Sequence, residues 1–469
     1  MWNPSLIREN KARARALLYL PLVLLFVGWV VLKVAFDLGV DPGWLDESYE
    51  DSEAVQIFRD YLKIDTSYPY GNEIPGAEFL ARHLEAAGIP VVLERLGHRN
   101  ANLWAVVEGR DRAPLVLHNH IDVEPVRYDE RWRFPPFGGM IYGPFLYGRG
   151  AFDMKSVAIA QLMAILEIQR SGKKPARSVA FLATGDEERD SRLGTKRWLE
   201  THPEIAREIH AVLTEGGAVE AVNLEKVRYW GTEHMQRHFV DVWVCDADRE
   251  RLDVLRQELI EHRYGTLRAP SPDVADFLRR YGPSREHPEV QAMLESPETV
   301  LYAPQRDLLP PRVLASLRNE LAIFPILPDA DGGWSMRVIL HLLPDVQPEV
   351  GYRELIGDRL VGFTYEMDVQ HPPVPSSSPE HPVFVALEEF MVERFPEAAH
   401  GPLFVPWSAT DARYFRTSGI PSYGYSPFWI LSSDAVKMKG ANERISVPAF
   451  LDGVEVYTDL VGHLVGAEG

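Results

Sequence analysis

Histidine and carboxylate side chains gather at four places in the first half of the chain. They are His120-Ile121-Asp122, Asp153 within Gly148-Arg149-Gly150-Ala151-Phe152-Asp153-Met154-Lys155, Asp186-Glu187-Glu188, and Glu215-Gly216-Gly217. Most of them close a short apolar run. Imidazole and carboxylate are ligands that zinc takes in catalytic sites, and a neighbouring glutamate supplies the base such sites use. One cluster would mean little; four in this order point to a co-catalytic zinc hydrolase.

Each cluster also has a plain structural reading. His120 and Asp122 stand two apart at a strand end and project from one face, so the imidazole can bind zinc while the carboxylate fixes its ring. An isolated His-x-Asp is more often a solvated pair, and His118, offset by the same spacing, competes for the role. Asp153 precedes a helix and could simply cap it, although a carboxylate with both oxygens free can bridge two ions. Glu187 and Glu188 must diverge, one toward metal and the other toward substrate as a proton shuttle. Glu215 precedes two glycines, which permit close backbone approach or a tight turn.

The elements that must position these residues alternate. Helical spacing covers Glu53 to Leu62, Pro75 to Ala87 and Val157 to Arg170, and strands are predicted at Ile89 to Glu94, Leu103 to Val107, Pro114 to Leu117, Ser178 to Ala183 and Ile209 to Thr214. This is an α/β layer with a largely parallel sheet, in which functional groups collect just past the strand ends. After about Trp230 the pattern changes. Strands at His238 to Cys245, Trp334 to Leu343 and Phe363 to Val369, with helices at Arg249 to Glu261 and Val350 to Val361, predict a small α+β insert. A proline-punctuated stretch from Pro270 to Pro311 interrupts it. Pro372 to Pro379 marks the return, followed by a helix from His381 to Phe395, a strand near Pro421 to Tyr425 and a closing helix from Val447 to Val465. No internal repeat is visible.

With 469 residues, 46% hydrophobic and 25% charged, the chain has room for two or three domains. A net charge of -19 argues against nucleic acid as a partner. Cys245 is the only cysteine, which excludes an intrachain disulfide and a cysteine-rich metal site. Ala16 to Leu32 carries no charge, and apolar character resumes after Lys33 as far as Phe36. Basic residues precede this run and acidic residues follow it. The expectation is a single membrane-spanning helix at 16–36, with a basic cytoplasmic tail at 1–15 and everything after an acidic linker at 37–52 outside the cytoplasm. A cleaved signal peptide is the rival reading.

These motifs together resemble the M20 metallopeptidase family of carboxypeptidases, aminoacylases and related amidohydrolases. The resemblance rests on Asn119 to Val126, on Trp132 with Pro135 to Phe137, and on Leu146 to Lys155. It continues through Thr184 to Glu188, Glu215 to Gly217, Thr410 to Phe415 and Gly440 to Ile445. The apolar N-terminal segment and the Glu-Gly-Gly form look most like the carboxypeptidase S and N-acyl-amino-acid hydrolase branch. The resemblance implies a zinc-exopeptidase-like α/β/α catalytic domain in two parts, 53–231 and 373–469, around an inserted ferredoxin-like lid at 232–372. It implies one zinc on His120, Asp153 and Glu215, and a second sharing Asp153 and taking Glu188. It makes Asp122 the residue that orients His120 and Glu187 the general base. Peptides or N-acyl amino acids are the implied substrates, and a homodimer through the lid is the implied assembly.

Two positions depart from the family pattern. Where a last metal ligand, a histidine, is expected, the chain has Lys439, whose ammonium is a poor ligand but a ready counter-ion for Asp153 and Glu188. One zinc is therefore expected in place of two. The insert also lacks the Gly-Gly-His-Ser-type segment whose histidine supports an oxyanion; His234, His238 and His341 do not match it. The alternative to an active amide hydrolase is a catalytically impaired, membrane-anchored binding or partner protein.

Overall fold

The computed structural model describes residues 49–69, 71–221, 227–329, 332–369, 373–430, 434 and 437–466. The expected membrane span at 16–36 lies outside them. Among the described residues no helix is long and apolar enough to cross a membrane.

Among the described residues ten strands form the main sheet. In spatial order they are Val91–Leu96, Asn100–Val107, Arg177–Thr184, Asp111–His120, Ala211–Thr214, Ser422–Gly424, Val227–Gln236, Ala218–Ala221 and Trp429–Ile430, with Ala399–Val405 added alongside Val227–Gln236. The centre is parallel, from Arg177–Thr184 across to Ser422–Gly424, and both flanks carry antiparallel pairs. The sheet is thus mixed, not largely parallel as expected. Its central strands carry buried apolar runs, Leu115 to Leu117, Val179 to Ala183 and Ala211 to Leu213, as strands covered on both faces do. One face packs against helices Glu53–Leu62, Lys155–Arg170 and Val447–Leu464, with Leu162, Ile165, Tyr457 and Leu460 fully buried between them. Trp198 and Phe415 from two short helices cover the other face. Burying a Leu or Ile side chain stabilises the fold by about 1.5–3 kcal/mol, so this packing, more than helix propensity, holds the long helices in place.

A separate four-stranded antiparallel sheet has the order Glu320–Pro328, Trp334–Leu342, His238–Asp246, Thr364–Asp368. Helices Arg249–Glu261 and Pro348–Leu355 accompany it, in the sequence strand, helix, strand, strand, helix, strand. The proline-rich stretch is not irregular: Pro272 and Pro288 open helices Pro272–Tyr281 and Pro288–Glu295, where the missing N–H costs nothing. The strand Val227–Gln236 crosses the expected boundary at residue 232. Its polar residues stay buried because Glu233 accepts two 2.8 Å hydrogen bonds from Arg416.

Candidate metal centre

Three neighbouring parallel strands end at the site. Asp111–His120 delivers His120 as its last residue, Arg177–Thr184 leads into Glu187 and Glu188, and Ala211–Thr214 leads into Glu215. Local backbone geometry then aims each side chain. Asp186, Asp190 and Ser191 all have positive φ, of 66°, 71° and 48°, so the loop carrying Glu187 is wound tightly at three non-glycine positions. Gly185 is required there because a Cβ would meet Glu73 Oε2 at 1.7 Å. Gly216, at φ 109°, and Gly217, with no room for a Cβ against the Gly424 and Gly231 carbonyls, turn the chain directly after Glu215.

The His120 ring is fully buried. Its Nδ1 lies 2.9 Å from the backbone carbonyl of Asp122, which turns Nε2 toward Asp153 Oδ1 at 3.2 Å and Glu215 Oε1 at 3.5 Å. The other oxygen of Asp153, Oδ2, is 3.2 Å from Lys439 Nζ, and Lys439 Nζ is 2.5 Å from Glu188 Oε2. Asp153 therefore faces two partners, an imidazole on one oxygen and an ammonium on the other. Lys439 itself adopts a left-handed backbone at φ 57°. Ligand atoms of His120, Asp153 and Glu215 lie within 4.8 Å of one another, as do those of His120, Glu187 and Glu188.

The electrostatics follow from crowding. Burial pushes the Glu187 carboxyl well above its ordinary range, and Glu215 and Glu188 reinforce the shift against the opposing pull of His120 and Lys439. Burial and Asp153 raise Glu215 to about 7. Burial would also raise Asp153, but Lys439 and His120 outweigh it and hold that carboxyl well below its usual range. For His120 burial acts downward and is overcome by Glu215, Asp153 and Glu187. At Lys439, Asp153 and Glu188 likewise overcome burial, so its ammonium is strongly held.

The structure thus brings together Asp122, His120, Asp153, Glu187, Glu188, Glu215 and Lys439. Two details differ from the sequence reading. The Asp122 carboxylate accepts the backbone N–H groups of Glu187 and Glu188 at 3.0 and 2.9 Å and stands 3.6 Å from the His120 ring, so the ring's nearer support is the Asp122 carbonyl. Asp153 caps no helix: the N-cap position of Lys155–Arg170 is Met154. His118 does not compete with His120. It is enclosed by Thr214, Thr184 and Thr195, and burial lowers it to about 4. His234 meets the Ser377 carbonyl, and His341 stacks on Phe239.

Several supporting residues escaped sequence reasoning. Arg413 lies 3.8 Å from Glu187, and Glu443 accepts the Phe152 and Asp153 N–H groups while paired with buried Arg149. Arg413 and Glu443 fall within segments already singled out, Thr410 to Phe415 and Gly440 to Ile445, which was the available signal. Glu73 accepts hydrogen bonds from Asn100, Ala101 and Asp186, and nothing in its local sequence marks it.

The donor set fits one divalent ion at His120, Asp153 and Glu215: the imidazole is fixed through its far nitrogen and two carboxylates converge on the near one. It does not equally fit a second ion beside Glu188. Glu188 Oε1 is buried without a hydrogen-bond partner, but Lys439 occupies the space between Glu188 Oε2 and Asp153 Oδ2.

A family model described as peptidase family M20/M25/M40 matches residues 116–463. The chain is 25% identical over 426 residues to aminoacylase-1B of Rattus norvegicus, covering 88% of this chain and 96% of that protein. Its fold is similar to that of the M20 family metallo-carboxypeptidase Sso-CP2 from Sulfolobus solfataricus, with TM-score 0.66, 16% identity and coverage of 89% of this chain and 100% of the other. Human carnosine dipeptidase 1 is similar at TM-score 0.63 and 14% identity, over 88% and 97% of the two chains.

Proposed function

The chain belongs to the M20/M25/M40 peptidase family and is a hydrolase, and from that premise we propose a single-zinc amide hydrolase acting on peptides or N-acyl amino acids. The observation that carries this reading is the division of Asp153, with Oδ1 toward His120 and Oδ2 toward Lys439. His120, Asp153 and Glu215 would hold the zinc, which when bound supplies a Lewis acid that acidifies water and polarises the amide carbonyl. Glu187 is the base. Its carboxylate accepts a proton from the attacking water and returns it to the leaving amine nitrogen, and its raised proton affinity suits both transfers. Lys439 holds Asp153 and Glu188 apart from the exchange by occupying one oxygen of each. Asp122 keeps Glu187 in place through its backbone N–H.

Elemental analysis of the purified, unchelated chain tests the stoichiometry. One zinc per chain is expected, rising to two in Lys439→His with a higher rate. Two equivalents in the wild type would overturn the single-ion reading. A wild type without turnover, whose Lys439→His variant gains both zinc and activity, would favour the impaired binding protein.

The remaining architecture is proposed on the same footing. The strand–helix–strand–strand–helix–strand unit supports a ferredoxin-like lid on a zinc-exopeptidase-like catalytic domain. Exposed Trp243 and Phe324, both flanking Arg337, support a homodimer through the lid sheet. The carboxypeptidase S and N-acyl-amino-acid hydrolase branch is favoured by the Glu-Gly-Gly form at Glu215 and by the apolar segment at 16–36. That segment also supports a single-pass anchor with the hydrolase outside the cytoplasm. Protease added to intact cells should digest the large domain; complete protection until lysis would reverse the orientation.

A further inference from the structure

His118 is a buried side chain that the reaction above leaves unused. It lies on one of the three strands that deliver the site and touches the ends of the other two. Its Nδ1 is 2.8 Å from Thr214 Oγ1, and its Nε2 is 3.0 Å from Thr184 Oγ1 and 2.9 Å from Thr195 Oγ1. Thr214 closes Ala211–Thr214, and Glu215 follows it directly. Thr184 closes Arg177–Thr184 and leads into the loop that carries Glu187. Thr195 opens the helix Thr195–Thr201 at the other end of that loop. The ring, the three threonines and Asp411 are all buried, with Phe415 set edge-on against the imidazole.

Counting hydrogens fixes the direction of these bonds. A threonine or serine hydroxyl donates once. Thr195 directs its hydrogen to Asp411 Oδ2 at 2.7 Å, and Ser191 directs its own to Asp411 Oδ1. Toward the imidazole Thr195 Oγ1 therefore offers only lone pairs. Nε2 must carry the hydrogen there, because two acceptors facing each other at 2.9 Å would repel. The Thr184 hydroxyl, 2.9 Å from Thr195 Oγ1, then donates to it as well. The bonds on this side of the ring all run toward the Asp411 carboxylate, and among the described residues none of these atoms lacks a partner. The two ring nitrogens thus serve different parts of the site. Nδ1 ties the strand end that presents Glu215. Nε2 ties both ends of the loop that presents Glu187, whose Asp186, Asp190 and Ser191 hold a left-handed backbone that non-glycine residues disfavour.

We infer that His118, anchored on Asp411, is a positioning residue that sets the metal ligand Glu215 in register with the general base Glu187, one ring nitrogen governing each. The inference rests on the hydrolase reading above and adds the residue that spaces its parts. His118 acts through the threonines and not on the reacting atoms.

Thr214→Val and Thr195→Val separate the two arms, each removing one hydroxyl while keeping the branched shape. Zinc affinity is read by chelator competition on the full chain, and kcat at saturating zinc on N-acetyl-leucine and glycyl-leucine. Thr214→Val should weaken zinc binding by about tenfold, as loss of a support behind a metal ligand does, and lower kcat by less than about threefold. Thr195→Val should lower kcat by about tenfold or more, since a shift of about 1 Å in a catalytic group can cost about 100-fold, and should change zinc affinity by less than about threefold. His118→Leu should show both losses. His118→Gln, whose amide supplies an N–H in place of Nε2, should return kcat but not zinc affinity. Should His118→Leu fail to fold, the threonine variants decide alone. A cage needed only for stability would lower the melting temperature of each variant and leave zinc affinity and kcat of the folded protein unchanged. That result, or loss of both quantities together in each threonine variant, overturns the assignment. A wild type without turnover whose Thr214→Val variant still loses zinc affinity keeps His118 as the positioner of Glu215 and removes the hydrolase reading. Turnover in the wild type, with neither quantity moved by either threonine variant, overturns the role of His118 and leaves the hydrolase.

Discussion

The strand-end cluster and the four-stranded sheet both bury histidine, with opposite results. His120 faces Asp153 and Glu215, and those carboxylates overcome burial and raise its proton affinity. His341 stacks on Phe239 with Arg237 as its charged neighbour, so burial and that cation lower it to about 3. Burial lowers His238 as well. The residue type is the same, and the charge of the surroundings decides its role. A histidine becomes a metal-site candidate where buried carboxylates already demand a cation; elsewhere it is a neutral packing unit.

That contrast is broken most directly at Glu187. Glu187→Gln keeps the shape of the side chain and removes the proton acceptor, so hydrolysis should fall by about 100-fold or more with zinc content unchanged. Equal losses of zinc and rate would instead make Glu187 a ligand, in line with its place beside His120 and Glu188. A smaller effect sharpens the other side. His341 has a folded pKa of about 3, below the unfolded 6.5, so acid favours the unfolded chain, which binds the proton more readily. Stability should be complete above about pH 6.5 and decline as the pH falls from there toward 3. By linkage His341 alone accounts for roughly 2–4 kcal/mol at the acid end. Chemical denaturation at pH 7 and pH 4 should show a shallower acid loss in His341→Leu; an identical loss would mean that the imidazole is solvated.

The strand-end residues were legible because each motif is contiguous and closes an apolar run. Val116 and Leu117 run directly into His118-Asn119-His120, and Val212 to Thr214 into Glu215. Their supports were not, because the partners are far apart in sequence: Glu443 reaches Phe152 and Asp153, and Asn100, Ala101 and Asp186 all converge on Glu73. The strand Val227–Gln236 was hidden by its own polarity. Thr232, Glu233, His234 and Gln236 break any apolar pattern, and partners distant in sequence help make this burial tolerable: Arg416 for Glu233, Ser377 for His234 and Thr410 for Gln236. Lys439 could be recognised by type as a departure, but its contact with both Asp153 and Glu188 depends on a left-handed backbone that no local pattern announces.

An ion bound from solution exchanges with the medium, and its occupancy follows concentration. The Lys439 ammonium does not. It is carried on the chain, beyond the reach of a chelator and indifferent to dilution. On the single-zinc reading, one of three positive charges, the ion bringing two and the ammonium one, is thus supplied during translation, and scarcity of metal outside the protein can remove only the other two.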